Sequence, residues 1–500
     1  MATPVSDMVP DMAAKRAEIS PGALAFHDTT TGRDWSFAHV NDAANAVAMA
    51  LRDEGLHEGD RLAILCHNRA EFFVTLFACQ KTGIILCPLN WRQPAPELIE
   101  ALGTLGARAI ICDAAHGSLA RSVGQGSGAR VFDLDSAFAE WLGAGGPAIT
   151  DPVPATRPWY LLMTSGTTGR PKAVIQTARM AWANAVNIGQ AAHLTGADRS
   201  VNFLPLFHTA GINLYTLPLF LTGGRSTILP GFEPDAVATL IRQGAVTQLF
   251  GVPAVYQALS LLPGIDALDL SGLRCGCGGA PLPEPLIRFF AQRGVQVLNG
   301  FGMTETGPTV FLMDPAMAAE KIGSVGKAQM LTEVRLDGVA PGMAGQGEIQ
   351  LRGPGLTPGY FQNPEATANA FTADGWLATG DIGRRDADGY YFIVDRIKDM
   401  YISGGENVYP AEVERVLNAH PAVLEAAVIG VPSDKWGETG AAFVMLRPGQ
   451  AVDPESLRPW CRERLAAYKV PASVRIVADF PRTAAGKVRK PDLRRSFADD

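Results

Sequence analysis

The chain has few of the features that mark nucleic-acid-binding, secreted or membrane-spanning proteins. Its 500 residues carry 43 Lys and Arg against 50 Asp and Glu, and no basic block stands out, so nucleic acid is not expected as a partner. No apolar run approaches the roughly 18 residues of a membrane span. The first ten residues lack the basic and apolar regions of a secretory signal. We therefore expect a cytoplasmic protein without a transmembrane segment.

Cysteine is also scarce. The seven cysteines form an odd number, and several lie in apolar runs, which is typical of reduced, buried thiols in a cytoplasmic protein. Cys275 and Cys277 are separated by one residue, but no second Cys/His pair has a matching spacing. A zinc site at these cysteines is therefore not expected. Internal repeats and low-complexity tracts are absent.

What the chain does contain is an alternation of strand-sized and helix-sized apolar patterns. Residues 61–66, 83–89 and 109–112 read as strands, and 70–82 and 95–105 as helices. Such alternation predicts largely parallel sheets covered by helices. A chain of this length favours more than one domain.

Three other segments have a different character. Residues 113–157 are rich in Gly, Ala and Ser and are predicted to be a peripheral excursion. Residues 336–347 predict short strands and turns. The last hundred residues, after 395–399, predict a compact α+β unit.

The most informative stretch is 164–172, which reads TSGTTGRPK and follows the strand-like apolar run 159–163. Its glycines allow a tight turn whose N–H groups point at an anion, and its hydroxyls and Lys172 add donors suited to a polyphosphate. It is not the P-loop of kinases and GTPases, because Pro171 stands where that motif needs glycine. Taken alone, the stretch could equally be a polar surface turn.

Four further motifs follow in order, at residues 299–305, 374–381, 395–410 and 481–487. Together with 164–172 they resemble the adenylate-forming superfamily of acyl-CoA synthetases, firefly-type luciferases and peptide-synthetase adenylation domains. The resemblance extends from about residue 20 to residue 490. It implies an α/β fold in two parts: a large N-terminal domain (1–397) of mainly parallel sheets with helices plus a β-rich subdomain, and a small mobile α+β C-terminal domain (398–500) hinged at Lys398.

The resemblance implies a reaction in two steps that uses ATP, Mg²⁺ and coenzyme A. A carboxylic acid first attacks the α-phosphate of ATP to give an acyl-adenylate and pyrophosphate, and CoA then forms the thioester and releases AMP. Because both reactants of the first step are anionic, the site must neutralise and position phosphate charge.

The resemblance also assigns the nucleotide contacts. Glu305 and Thr164 would hold Mg²⁺, Thr304 would contact the α-phosphate, Asp381 would accept the ribose hydroxyls, and Arg396 would bind the ribose or a phosphate. The β- and γ-phosphates would lie on Thr164, Ser165, Gly166, Thr167, Thr168, Gly169 and Lys172. The adenine slot would be formed by Gly279, Ala280, Pro281, Asn299, Gly300, Phe301 and Gly302. Many relatives carry tyrosine where Phe301 stands, so stacking on adenine is kept but a hydrogen bond is lost.

Residues of the C-terminal part are assigned to each half-reaction. By resemblance, Lys487 bridges the substrate carboxylate and the α-phosphate, although 486–490 could alternatively be an ordinary basic tail. After adenylation the small domain would swing and withdraw Lys487. The CoA arm would then contact Ser403, Gly404, Gly405, Glu406 and Trp436; Trp436 could equally just pack the small domain.

The acid pocket is expected around Phe207, His208, Gly211, Phe250, Gly251, Gly302 and Pro308, with His208 as a gate or carboxylate-orienting group. These candidates include no cation, unlike an amino-acid or dicarboxylic-acid site. We therefore expect an acid with an aromatic, phenylpropenoic or medium- to long-chain fatty tail.

Two alternatives stay open beside an acid–CoA ligase: an enzyme that loads a separate carrier protein, and a luciferase-type oxygenase. Competition between CoA and a carrier thiol would separate the first, and oxygen consumption or light emission the second. The acid and the oligomeric state, with a homodimer as one option, do not follow from the sequence.

Overall fold

The computed structural model of the chain describes residues 7–164, 171–403, 405–434, 436–483 and 486–498. Its strands are β1 (Met8–Val9), β2 (Leu24–Asp28), β3 (Arg33–Ser36), β4 (Arg61–Leu65), β5 (Ile85–Pro88), β6 (Ala109–Cys112), β7 (Arg130–Asp133), β8 (Val153–Pro154), β9 (Pro158–Thr164), β10 (Lys172–Thr177), β11 (Arg199–Asn202), β12 (Arg225–Ile228), β13 (Gln248–Gly251), β14 (Arg274–Cys277), β15 (Val297–Phe301), β16 (Phe311–Leu312), β17 (Lys327–Ala328), β18 (Glu333–Leu336), β19 (Gly345–Arg352), β20 (Leu377–Arg385), β21 (Tyr391–Arg396), β22 (Tyr401–Ser403), β23 (Glu406–Val408), β24 (Val423–Ser433), β25 (Gly437–Leu446) and β26 (Ser473–Ile476).

The α-helices connect and cover these strands. They are α1 (Met12–Ile19), α2 (Phe37–Asp53), α3 (Ala70–Thr82), α4 (Ala95–Leu105), α5 (Gly117–Ser127), α6 (Leu134–Ala144), α7 (Ala178–Ala191), α8 (Thr209–Asn213), α9 (Thr216–Thr222), α10 (Pro234–Arg242), α11 (Pro253–Ser260), α12 (Glu284–Ala291), α13 (Pro364–Ala370), α14 (Pro410–Asn418), α15 (Leu457–Arg462) and α16 (Lys490–Ala498). Among the described residues, no helix combines the length and apolar character needed to cross a membrane.

Two large sheets form most of the N-terminal part. The first has six strands in the order β10-β9-β5-β4-β6-β7, all parallel except for the antiparallel edge pair β9–β10. The second has nine strands, and its central run β15-β14-β13-β11-β12-β2 is parallel. The carboxyl ends of strands from both sheets are linked where the Asn68 amide donates to Asn202 Oδ1 at 3.1 Å. Ligand sites of parallel sheets lie at such carboxyl edges.

Two smaller sheets follow. Strands β18 to β21 form a four-stranded antiparallel sheet, and β22 to β26 form a five-stranded sheet in the last hundred residues. The C-terminal sheet has its own apolar core, which includes Val413, Leu417, Val428 and Val444. The mixed α/β fold with a large N-terminal part and a small C-terminal part is thereby confirmed.

The predicted helices and strands match the structure closely where the apolar pattern is strong. Helices 70–82 and 95–105 have the predicted bounds, and each ends at a left-handed glycine, Gly83 (φ 76°) and Gly106 (φ 63°). All seven cysteines are buried and unpaired, as expected.

The interpretation of 113–157 as a peripheral excursion was wrong. This segment forms α5, the edge strand β7 of the first sheet, and α6. Leu134, Phe138 and Trp141 of α6 are buried in the main apolar core against α2. The segment therefore belongs to the body of the N-terminal part, because its few large apolar residues fall on one face of a short helix.

Candidate active site

The strands on either side of the predicted phosphate loop form an antiparallel pair. Thr164 at the end of β9 lies opposite Lys172 at the start of β10, and the Thr164 hydroxyl donates to the Lys172 carbonyl at 3.4 Å. Ser165, Gly166, Thr167, Thr168 and Gly169 lie outside the described residues. The ammonium of Lys172 sits 5.1 Å from the centre of the Tyr360 ring, a cation–π contact.

Glu305 is a buried carboxylate held by that same tyrosine. It lies in the short 3-10 helix Thr304–Thr306 after β15, and Glu305 Oε1 accepts a hydrogen bond of 2.8 Å from the Tyr360 hydroxyl. The Thr304 carbonyl accepts from the Gln176 side-chain amide at 2.9 Å. Among the described residues Glu305 has no ion-pair partner within 4.0 Å. A buried carboxylate of this kind suits a hard cation such as Mg²⁺.

Asp381 and Arg396 face each other across two neighbouring strands, β20 and β21. The Arg396 guanidinium donates to both Asp381 oxygens, from Nε at 3.0 Å and from Nη2 at 3.4 Å. Although burial disfavours the charged guanidinium, the Asp381 carboxylate outweighs it and raises the pKa of Arg396. The pair thus places a carboxylate, which can accept hydrogen bonds from ribose hydroxyls, beside a guanidinium, which can donate to a phosphate.

Lys487 reaches this group from the C-terminal part. Its Cε lies 3.5 Å from the position that a Cβ on Gly279 would occupy, and a Cβ on Gly486 would likewise lie 3.5 Å from the Val252 side chain. Lys487 is exposed when the whole residue is considered, but its ammonium is surrounded by protein groups. This burial of the ammonium and the nearby guanidinium of Arg396 lower its pKa, and the carboxylates of Asp381 and Glu305 partly offset them. The charges of Glu305, Asp381, Arg396 and Lys487 are therefore gathered in one place.

The turn that carries Lys487 is anchored on the C-terminal sheet. Arg482 forms an ion pair with Glu425 of β24 and donates to the Gly486 carbonyl at 3.1 Å. The Thr483 amide donates to the Lys487 carbonyl at 2.7 Å. Lys487 is thus attached to the small sheet, and any movement of that sheet would carry it along.

Asp395 connects the two parts near the predicted hinge. Its carboxylate accepts from the Arg396 N–H at 2.7 Å and from the Ala411 N–H at 2.8 Å, at the start of α14. Burial raises the pKa of Asp395 to about 6. This contact and the approach of Lys487 to Gly279 connect the C-terminal part to the N-terminal part.

His208 lies just before α8, and its ring carries an unused polar atom. Its Nε2 is buried without a hydrogen-bond partner, which is uncommon for a buried polar group. Burial and the nearby charges of Lys487 and Arg92 lower the pKa of His208 to about 4. His208 is therefore neutral at physiological pH and has one ring nitrogen available to a ligand.

The residues predicted to form the adenine slot lie along the carboxyl ends of β14 and β15. Gly279, Ala280 and Pro281 follow β14, and Asn299, Gly300 and Phe301 belong to β15. The Asn299 side-chain oxygen is buried without a partner. It can accept a hydrogen bond from an amino group such as that of adenine.

The predicted acid-pocket residues include aromatic side chains and tightly packed glycines. The Phe207 and His208 rings are tilted by 57° with centres 4.8 Å apart, and Phe250 lies edge-on to Tyr215 at 5.6 Å. A Cβ on Gly276 or Gly278 would come within 3.0 Å or less of the Phe250 ring. The Phe250 ring therefore lies over two glycines of the neighbouring strand and its end.

The remaining glycines are tightly packed. A Cβ on Gly302 would stand 1.6 Å from the Pro308 carbonyl oxygen, and one on Gly211 would stand 2.4 Å from the Pro205 oxygen. On Gly251 it would meet Val255 of α11 at 2.8 Å. These contacts show that each of the three glycines is required for close local packing.

The residues predicted to contact the CoA arm form a second group on the C-terminal sheet. Ser403 and Glu406 are paired across the hairpin of β22 and β23, and Ser403 is also paired with Gly437, which follows Trp436. Gly405 has a φ of 86°, a conformation that favours glycine. Gly404 lies outside the described residues.

Three further residues of the site were not found from the sequence. Tyr360 donates a hydrogen bond to Glu305 and makes a cation–π contact with Lys172. Tyr215 packs edge-on against Phe250, and the charge of Arg92 helps to lower the pKa of His208. Tyr360 is 55 positions from Glu305 in the chain. Its only sequence signal was an aromatic beside glycine at 359, which is too common to be informative.

Comparison with known proteins agrees with this arrangement. Residues 13–361 match the family described as AMP-binding enzyme, and residues 412–487 match the AMP-binding enzyme C-terminal domain. A feruloyl-CoA synthase from an Amycolatopsis species is 41% identical over 97% of this chain and 98% of its own. An indoleacetate–CoA ligase from Aromatoleum aromaticum is 36% identical over 97% of each chain.

Solved structures of the o-succinylbenzoate CoA synthetase from Bacillus subtilis show the same fold. The complex with its acyl-adenylate intermediate superposes with a TM-score of 0.87 at 31% identity, covering 97% of this chain and 98% of that one. The complex with ATP and magnesium ion has a TM-score of 0.86 at 30% identity, covering 97% and 100%.

Proposed function

Because the chain belongs to the AMP-binding enzyme family, we propose that it is an acid–CoA ligase that forms AMP. It activates a carboxylic acid with ATP and then transfers the acyl group to coenzyme A. The observation that carries this proposal is the position of Lys487, beside Gly279 and among the charges of Arg396, Asp381 and Glu305. A cation brought from a separate sheet to a nucleotide-type site suits a reaction between two anions.

In the first step a carboxylate oxygen attacks the α-phosphorus of ATP. The bond from that phosphorus to the bridging oxygen breaks, and pyrophosphate leaves with the electron pair, so no proton is transferred. The ammonium of Lys487 attracts the carboxylate and the α-phosphoryl oxygens, both of which must approach each other against their own repulsion. This stabilisation is greatest in the transition state.

His208 has a different role from Lys487. Since its pKa is lowered to about 4, the imidazole carries no positive charge at neutral pH. Its unpartnered Nε2 can instead orient the substrate carboxylate by one hydrogen bond. We assign it as a positioning group at the pocket mouth.

Glu305, with Thr164, is the group we assign to Mg²⁺. The buried carboxylate without an ion-pair partner among the described residues fits a hard cation. When bound with ATP, the ion supplies neutralisation of phosphate charge. Tyr360 orients Glu305 through its hydroxyl, and Asp381 with Arg396 holds the ribose end of the nucleotide.

The acid proposed for this pocket is aromatic, an arylpropenoic or arylacetic acid. The Phe250 ring lies over Gly276 and Gly278, with Tyr215 edge-on behind it. A flat aromatic wall favours a planar aryl tail by stacking. Two relatives, a feruloyl-CoA synthase and an indoleacetate–CoA ligase, are named for acids of this class and support the same proposal.

For the second step we propose that residues 398–500 rotate about Lys398. Rotation would break the Asp395–Ala411 contact, withdraw Lys487 and bring the Ser403–Glu406 hairpin and Trp436 to the nucleotide. The CoA thiolate would then attack the adenylate carbonyl carbon and AMP would leave, while the thiol proton passes to solvent. We place the enzyme in the cytoplasm, where ATP and CoA are available, and expect no nucleic-acid partner.

A product analysis tests this function. The purified chain is incubated with ATP, Mg²⁺ and a panel of aryl, fatty and dicarboxylic acids, with and without CoA. We expect pyrophosphate, AMP and an acyl-CoA in equal amounts, with aryl acids giving the highest kcat/KM. Formation of ADP would contradict the proposal. Transfer to a carrier thiol in preference to CoA, or oxygen consumption, would replace it with one of the two alternatives.

A further inference from the structure

A cluster of metal-ligating side chains lies outside the nucleotide site, at the carboxyl edge of the first sheet. His67 follows β4, and Asp113 and His116 follow the adjacent parallel strand β6, whose Cys112 is paired with Leu65. One ligand atom from each of the three residues lies within 4.8 Å of the others. It is the one such group of three or more potential ligands among the residues that the structure describes.

We propose that His67, Asp113 and His116 bind a divalent transition metal of the Zn²⁺ or Co²⁺ type. Two imidazole nitrogens and one carboxylate oxygen form a donor set that suits such ions, whereas Mg²⁺ and Ca²⁺ prefer oxygen ligands alone. Binding of the metal does not depend on the proposed ligase reaction, whereas its effect on the KM for the acid does.

Backbone N–H groups hold the Asp113 carboxylate beside the two rings, whose centres are 4.6 Å apart. Asp113 Oδ2 accepts a hydrogen bond from the backbone N–H of His67 at 2.9 Å, and Oδ1 accepts one from the backbone N–H of His116 at 3.0 Å. His116 Nδ1 is 2.5 Å from Asp113 Oδ1, and His67 Nδ1 is 3.8 Å from Oδ2. Donors around a tetrahedral Zn²⁺ are about 3.4 Å apart. The ligands can therefore reach coordination distance with small side-chain movements, as His116 gives up its contact with the carboxylate.

The surroundings keep the rings in place and leave one side open. Trp91 packs edge-on against His67 at 4.6 Å between ring centres and lies 5.6 Å from His116. The His67 side chain is 38% exposed, whereas those of Asp113 and His116 are 8% and 9% exposed. A metal ion can enter on the His67 side and keep a water as its fourth ligand.

The local charge is compatible with a cation. Arg69 is the nearest cation along the chain, and its guanidinium is paired with Glu71 at 2.9 Å and with Asp135 at 2.8 Å. Arg92 lies over the Trp91 ring, 4.7 Å from its centre. Three carboxylates, from Glu71, Asp113 and Asp135, thus offset two guanidinium groups.

The site also adjoins the proposed acid pocket. Phe207 contacts Trp91 edge-on at 6.3 Å and His208 at 4.8 Å. A bound metal that fixes His67 would therefore also restrict Trp91 and, through it, the position of Phe207. We expect it to change the KM for the acid more than kcat.

Direct binding of Co²⁺ and Zn²⁺ to tag-free, chelator-treated protein tests the site. Equilibrium dialysis with elemental analysis is expected to give one Co²⁺ or Zn²⁺ per chain that survives excess Mg²⁺. Co²⁺ should also quench the fluorescence of Trp91, and Trp91→Phe should abolish that quenching while leaving the stoichiometry unchanged.

The ligand variants decide the assignment. His67→Gln leaves the buried Asp113–His116 pair intact, so it is expected to fold, and it should weaken Co²⁺ binding about tenfold or more. The matched control is His27→Gln, which removes the histidine of an exposed His–Asp pair with Asp34 and should leave binding unchanged. Absence of binding, or binding that is equally strong in His67→Gln and His27→Gln, would overturn the proposal. Circular dichroism and thermal melts of each variant verify folding.

Discussion

The contact between Gly276 and the Phe250 ring makes a quantitative prediction about acid selection. A Cβ on Gly276 would lie 2.7 Å from Phe250 Cδ2 and 2.9 Å from the Tyr215 hydroxyl oxygen. Both distances are shorter than ordinary contacts, so Gly276→Ala must displace the Phe250 ring. Overpacking of this kind costs about 1–3 kcal/mol. If the ring moves into the acid slot, that cost corresponds to a loss of about 5- to 150-fold in kcat/KM for an acid that fills the slot.

The size of the acid separates this explanation from general damage. Gly276→Ala is expected to lower kcat/KM for cinnamate-sized acids much more than for acetate, whose tail does not reach the ring. In a Phe250→Ala background, Gly276→Ala should lower kcat/KM for cinnamate-sized acids by at least about 1 kcal/mol less than in wild type, because the clashing ring is gone. Denaturant unfolding of each variant corrects for stability, because Phe250→Ala alone is expected to cost about 3 kcal/mol.

Gly272→Ala provides the matched control, since no atom lies within 4 Å of a Cβ at Gly272. It should leave both acids and the unfolding free energy unchanged. Equal losses for acetate and cinnamate in Gly276→Ala, or full additivity with Phe250→Ala, would refute the assignment of Phe250 as the wall of the acid slot.

Three further predictions concern other parts of the site. Tyr360→Phe removes the hydrogen bond to Glu305, and such a bond to a charged acceptor is worth about 1.5–3 kcal/mol. The KM for Mg·ATP in pyrophosphate exchange should therefore rise about tenfold. An unchanged KM would argue against the role of Glu305. Because the pKa of His208 is lowered to about 4, the unfolded chain binds a proton below pH 6.5 that the folded chain does not. In urea unfolding, wild type should therefore lose about 2 kcal/mol more stability between pH 7.5 and 5 than His208→Gln. Equal losses of stability in the two proteins would contradict this. Gly405 has φ 86° and open space around it, so Gly405→Val should slow thioester formation and spare adenylation; equal effects on the two half-reactions would contradict its place at the CoA arm.

Local patterns predicted much of the fold. Helices 70–82 and 95–105 were found because apolar residues recur at helical spacing and a glycine ends each helix. The role of 113–157 was missed because β7 pairs with only one neighbour and α6 has few large apolar residues. Short amphipathic elements in a Gly- and Ala-rich segment carry little periodic signal.

The site could be predicted only as far as its motifs extend. Glu305, Asp381, Arg396 and Lys487 belong to motifs, and the structure gathers their charges. Tyr360 and Tyr215 act through contacts with residues far apart in the chain, and Arg92 acts on His208 through its charge. None of the three stands in a motif that predicts chemistry by itself. The domain boundary at 397/398 and the individual roles of the site residues stay predictions.

A single-turnover experiment on Lys487 tests the central claim, that this lysine serves adenylation from the docked position. Enzyme in excess is mixed with acid and Mg·ATP without CoA, and the acyl-adenylate is measured; preformed acyl-adenylate is then mixed with CoA. Wild type should form one adenylate per site and convert it to thioester. Lys487→Ala should lose adenylate formation almost entirely and keep the conversion with CoA. Normal adenylate formation by Lys487→Ala, or equal losses in both steps, would contradict the account.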